Sequence, residues 1–106
     1  MAERRTQMPF GDALPGLLQE QGVSLRELSR RLGMDATYVS RVRRGQKRLP
    51  ADLPRRVAVA LGLPEDYFPE TREALILAAI RDEPELREHV YRKVSRLGSG
   101  ASKKLP

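Results

Sequence analysis

Residues 24–45, SLRELSRRLGMDATYVSRVRRG, hold two short amphipathic segments separated by one glycine corner, and no other stretch constrains the fold as strongly. Ser24 followed three residues on by Glu27 predicts a capping box, in which each side chain satisfies an orphan backbone N–H at a helix start. Leu25, Leu28 and Leu32 then recur at spacings of three and four, laying an apolar stripe along one helix face. Gly33 can take positive φ and turn the chain, and Asp35 is a good N-cap for a second helix whose inner stripe is Val39 with Val42. Gly45 predicts the end of that helix, and Ser29, small and one turn before the corner, lets the two helices approach closely.

Two helices joined by a short Gly-containing turn form the helix-turn-helix signature. Further landmarks surround it: the Leu14 and Leu17 pair, Gly22 before the capped second helix, the segments SLREL, RRLG and TYVSRVRRG, and the later run VAVALGLPEDYF. On these landmarks residues 10–68 resemble the five-helix DNA-binding domain of the Cro and phage-repressor class (XRE-type) of bacterial regulators. The resemblance implies an all-α fold, a five-helix lambda-repressor-like DNA-binding domain, to which the remaining sequence adds two C-terminal helices. It also implies that helix 3, about residues 35–45, enters the major groove of double-stranded DNA with Ala36, Thr37, Tyr38 and Arg41 at base-reading positions. Arg41 suits a bidentate pair with guanine O6 and N7, and Thr37 or Ala36 suits contact with a thymine methyl. For Thr37 the alternative is a first-turn helper to the cap; for Tyr38 it is the sugar-phosphate backbone or packing against helix 2.

Phosphate contacts are expected at the start of helix 2, where the amides of Ser24, Leu25 and Arg26 and the helix dipole favour an anion. They are also expected from Arg43 and Arg44 and from the loop residues Gln46, Lys47 and Arg48. Two positions depart from the class. Leu25 stands where many relatives have a backbone-contacting Gln, and Leu18 and Arg43 stand where many pair Arg with Glu. Both partners of that pair have changed together, so no charge is left stranded, and Arg43 is free to turn toward phosphate.

Charge is unevenly distributed. Residues 24–56 hold ten basic side chains (Arg26, Arg30, Arg31, Arg41, Arg43, Arg44, Lys47, Arg48, Arg55, Arg56) against Glu27, Asp35 and Asp52, whereas residues 64–94 hold eight acidic against five basic. A basic cluster confined to the two-helix block is the footprint of phosphate binding; the alternative is a solvated face whose arginines serve helix propensity.

Residues 1–8 lack periodicity and are expected to be a mobile lead, either disordered or a basic arm carrying Arg4 and Arg5. The DNA-binding domain is expected over 9–69. Helix 1 covers 10–21, starting near Leu14 or bending there because Pro15 lies inside it. Helix 4 covers 53–61 with Pro54 near its start, and a short fifth helix runs from Pro64 through Tyr67 and Phe68 until Pro69 closes it. The extension over 70–97 contains TREALILAAIRD, apolar over most of its circumference, and a helix opened by Pro84 with the stripe Leu86, Val90, Val94 and Leu97. These two helices pack as an antiparallel pair on the first five or form a homodimer interface, with Leu75, Ile76, Ile80, Leu86, Val90 and Val94 as dimerisation candidates. The tail, 98–106, is expected to be disordered.

A chain of 106 residues is one compact domain, or a small domain with an appendage. It has no cysteine, which permits a reducing cytoplasm. No apolar run approaches the roughly 18 residues of a membrane span, and MAERRTQMPFG lacks a signal-peptide core, so a soluble, cytoplasmic and nucleoid-associated protein without a membrane partner is expected. Enzyme readings fare badly. The single histidine, His89, lies on a charged helix, Glu83 and Glu85 straddle Pro84 as helix-start charges, and neither a Gly-rich phosphate loop nor a CxxC or HxxxH arrangement is present. Neither metal nor cofactor is expected. The leading reading is a sequence-specific dimeric transcription regulator, a repressor; its rival is an antitoxin-like or adaptor module that binds a protein partner through the C-terminal helices.

Overall fold

Caps and corner glycines set the helix boundaries. In the computed structural model, which describes residues 4–98, six helices and no strand occur among the described residues: α1 (Phe10–Gln21), α2 (Leu25–Leu32), α3 (Ala36–Arg43), α4 (Leu53–Ala60), α5 (Pro69–Asp82) and α6 (Pro84–Gly98). Ser24 Oγ accepts from Glu27 N at 3.0 Å, and Asp35 Oδ1 accepts from Thr37 N at 2.7 Å and Tyr38 N at 3.1 Å, caps worth about 1 kcal/mol each. Gly33, at φ 69°, ends α2. Its N–H donates to Arg30 O and the following Met34 N–H to Ser29 O, which closes two otherwise orphan carbonyls and turns the chain into α3.

Pro15 neither starts nor stops α1. It lies inside the helix on an exposed side, and its missing N–H removes one backbone hydrogen bond from the ladder. The core forms between the inner faces of α1 to α4 and the chain leading into α5. Phe10, Leu14, Leu28, Val39, Leu53, Val57 and Phe68 are all essentially fully buried, and Ser29 is buried with its hydroxyl on Leu25 O at 2.8 Å. Helices α2 and α3 pack on each other, α2 on α4, and α1 on α3.

The expected fifth short helix is not formed. Residues 64–68 make a turn closed by Tyr67 N to Pro64 O at 3.0 Å, and Pro69 opens α5 instead of closing a helix, since its fixed φ and absent N–H suit a first turn. A four-helix domain followed by two longer helices therefore replaces five plus two. Residues 4–8 also differ from the expected mobile lead. Thr6 N donates to Tyr67 O at 3.0 Å, Arg72 Nη2 donates to Thr6 O at 2.6 Å, and Arg5 pairs with Asp66 at 2.8 Å, holding the segment against the turn. The guanidinium of Arg5 holds the Asp66 carboxyl below its usual range. Residues 1–3 and 99–106, and with them the expected disorder of the tail, lie outside the described residues.

By its contacts the chain divides into two units, the first ending at Ala74 and the second beginning at Leu75, so the division falls within α5 and not before it. In the second unit the helical hydrogen bonds run close to the joint, with Glu83 N on Ala79 O at 3.0 Å and Arg87 N on Glu83 O at 2.9 Å. Pro84 supplies no N–H there, and the Arg87 guanidinium caps Arg81 O at 3.0 Å. The antiparallel pairing of these helices, one of the two expected arrangements, is not formed, because α5 and α6 do not pack along one another. Of the dimerisation candidates, Leu75, Ile76 and Val94 are more than half exposed while Ile80, Leu86 and Val90 are partly buried; Leu77, Tyr91 and Leu97 are exposed as well.

Candidate nucleic-acid interface

Burial of Val39 and Val42 decides which edge of α3 meets solvent. Thr37, Arg41 and Arg44, at spacings of four and three, form the exposed edge, and Ala36, Tyr38, Ser40 and Arg43 flank it half-buried. Two of the four expected base readers, Thr37 and Arg41, thus lie on the outward edge. Ala36 lies on its flank, and Tyr38 is half-buried and packs partly against the core. Ser40, three residues beyond Thr37 on the same side, was not anticipated, although its helical spacing signalled the place.

At α2 the Ser24 cap occupies only the Glu27 amide, and the amides of Leu25 and Arg26 have no acceptor among the described residues. Orphan amides at a helix start, with the dipole behind them, suit an anion. Leu25 itself is half-buried against the core, so only its backbone is available. Gln46, Lys47 and Arg48 are exposed in the loop after α3, and Arg44 reaches only its own helix, at 3.4 Å to Ser40 O.

The capping box closes only on one side. Glu27 does not reach back to Ser24; its carboxylate takes Arg30 at 2.6 Å and Arg31 at 3.1 Å instead, because two guanidiniums one turn on outcompete one amide. Hydrogen bonds from Arg30, then Arg31, lower the Glu27 pKa to about 2, and Arg30 is raised in turn. A carboxyl depressed on folding adds stability that is present above its unfolded pKa, about 4.3, and is lost as pH falls through about 2. Thermal unfolding of wild type and Glu27→Gln is accordingly expected to show a small gap in Tm at pH 6 that shrinks as the pH approaches 2.

The basic cluster separates into two groups. Arg31 donates to Ala60 O at 3.2 Å and Arg56 to Leu32 O at 2.7 Å, so each caps the C-terminal carbonyls of the other's helix. With Arg30 held by Glu27, these three serve the fold. Among the described residues Arg26, Arg41, Arg43, Lys47, Arg48 and Arg55 make no hydrogen bond or ion pair through their side chains. Arg55, exposed in the first turn of α4, counts in the charge of the basic block but is assigned no contact by the sequence; its place across the helix from the buried Val57 is the available signal. Arg43 is half-buried and its side chain makes no hydrogen bond or ion pair among the described residues, and Leu18 is buried in the core.

Among the described residues no group of three or more His, Asp or Glu side chains is placed to hold a metal ion, and no helix is long and apolar enough to cross a membrane. The family model described as a helix-turn-helix domain matches residues 4–73, and the chain belongs to that family. Its span begins where the tied-down N-terminal segment begins and ends just past the first turn of α5. Neither a curated protein nor a solved structure matches the chain. Family and fold together point to a DNA-binding regulator.

Proposed function

We propose that this protein is a sequence-specific double-stranded DNA-binding transcription regulator of the Cro and phage-repressor class, a repressor that acts as a homodimer and reads the major groove with α3. The observation that carries the reading is the exposed edge of Thr37, Arg41 and Arg44 on the second helix of a helix-turn-helix domain, with unpaired cations on either side of it. Arg41 supplies the bidentate pair with guanine, and Thr37 and Ala36 the apolar contact with thymine. The Leu25 and Arg26 amides, Arg43, Arg44, Gln46, Lys47 and Arg48 fix the register on phosphate, and Arg55 joins them. Neither metal nor cofactor takes part, and the protein works in the cytoplasm on the nucleoid without catalysing a reaction.

Repression follows from occupancy. A homodimer places two α3 helices on half-sites about one helical turn, 34 Å, apart and excludes other proteins from the operator. The exposed Leu75, Ile76, Leu77, Tyr91, Val94 and Leu97 supply the apolar surface for pairing. The same surface favours a second reading, an antitoxin-like or adaptor module that takes a protein partner there. Salt separates the two. A protein neutralising six to ten phosphates loses roughly 10³ to 10⁵ in DNA affinity between 50 and 200 mM salt, so a steep linear fall of log K with log salt supports the DNA reading and a flat profile supports the adaptor.

A further inference from the structure

The first turn of α1 receives two partners from far along the chain. Its N-cap is Pro9, which offers no side-chain cap, and the Phe10 N–H is taken by the Glu70 carboxylate, at 3.0 Å to Oε2 and 3.2 Å to Oε1. One residue on, Gly11 lies so close to the last residue of α3 that a Cβ there would overlap the Arg43 carbonyl oxygen. The negative end of the α3 dipole thus rests on the positive end of α1, and a carboxylate from α5 closes the same turn. We infer that Glu70 is a positioning residue for the DNA-reading helix: by closing the first turn of α1 it holds Gly11 under the Arg43 carbonyl and so fixes where Arg41 and Arg44 stand.

Glu70 is well placed for this. Thr71 N on Phe68 O at 3.2 Å starts the α5 ladder, and Arg72 Nη1 holds the carbonyls of Asp66 and Tyr67 at 2.8 and 3.0 Å, so the turn carrying Glu70 is itself fixed. Without the carboxylate the part-buried Phe10 N–H loses its acceptor, the first turn of α1 frays, and the α3 carbonyl end loses the surface beneath it. A side chain that never touches DNA then changes how DNA is read.

The inference rests on the proposed reading of α3, so its test has an arm that needs no DNA. Hydrogen exchange is measured on the full chain as wild type, Glu70→Ala, Glu70→Gln and Gln21→Ala, the last removing a cap elsewhere, the 3.0 Å bond from Gln21 Nε2 to Leu61 O. Glu70→Ala is expected to speed exchange over residues 41–46 about fivefold more than over α4; Glu70→Gln, which keeps an accepting oxygen, recovers most of that protection, and Gln21→Ala, whose lost bond lies at the end of α4, leaves exchange over residues 41–46 unchanged. On a selected operator Glu70→Ala is expected to weaken specific binding about fivefold and leave low-salt binding to random duplex within about twofold. Exchange that rises uniformly, or not at all, in Glu70→Ala overturns the inference, as does altered α3 exchange with unaltered specific binding. A wild type that enriches no operator refutes the DNA reading instead, and the exchange arm still decides whether Glu70 seats α3.

Discussion

Phe68→Ala is expected to lower the free energy of unfolding by about 3 to 5 kcal/mol, a large fraction of the 5 to 15 kcal/mol that holds a typical domain. Phe68 is fully buried and meets Phe10 edge-on, with centroids 5.0 Å apart and rings inclined at 77°, while Tyr67 closes on it at 5.0 Å and 89°. It joins three parts of the fold at once: the start of α1 through Phe10, the turn at 64–68, and the first turn of α5. Removing the ring leaves a cavity whose walls resist collapse, because Arg72 and Thr6 hold the turn on one side and the helical ladder of α1 holds Phe10 on the other. Phe68→Leu, which keeps most of the volume, is expected to cost less than half as much. Urea unfolding reads both variants as a fall in midpoint at unchanged slope. A loss under about 1 kcal/mol in Phe68→Ala would mean that the core lies elsewhere.

The second large effect concerns binding and leaves folding untouched. Arg41→Ala is expected to cost about 1 to 3 kcal/mol in affinity for the selected operator, roughly 5- to 150-fold, and to relax the preference at a single base position. Arg41 is exposed and its side chain makes no hydrogen bond or ion pair among the described residues, so stability should move by no more than about 0.5 kcal/mol. Competition titration against operators varied one base pair at a time separates this from a phosphate contact. Lys47→Ala serves as the comparison, since an exposed loop cation should weaken all duplexes alike and lower the salt slope by about one unit. If Arg41→Ala keeps the ratio of specific to random binding, Arg41 reads no base.

Local signals carried most of the fold. Ser24, Asp35, Gly33 and Gly45 act within a few residues of themselves, so helices α2 and α3 were legible from spacing alone, and the buried Val39 and Val42 fixed the outward edge of α3. What escaped the sequence depends on partners distant in the chain. A run such as 64–68 reads as a helix by composition, yet its carbonyls are claimed by Thr6 and Arg72, and this favours a turn. Glu27 was legible as a cap partner but not as the partner of Arg30 and Arg31, since choosing among acceptors needs side-chain geometry. For the same reason Arg31 and Arg56 counted toward a polyanion surface until their carbonyl partners on α4 and α2 appeared. Glu70 lies sixty residues from Phe10, and no local pattern links them.

In the proposed function α3 reads a DNA sequence as one of a pair. Selection of the 106-residue chain against a random duplex pool at physiological salt, followed by affinity measurement on the enriched site, is the decisive test. An inverted repeat with half-sites about 34 Å apart, bound far more tightly than random duplex, is the expected result. Failure to enrich any sequence, with binding that is the same for every duplex and disappears as salt rises, would contradict it.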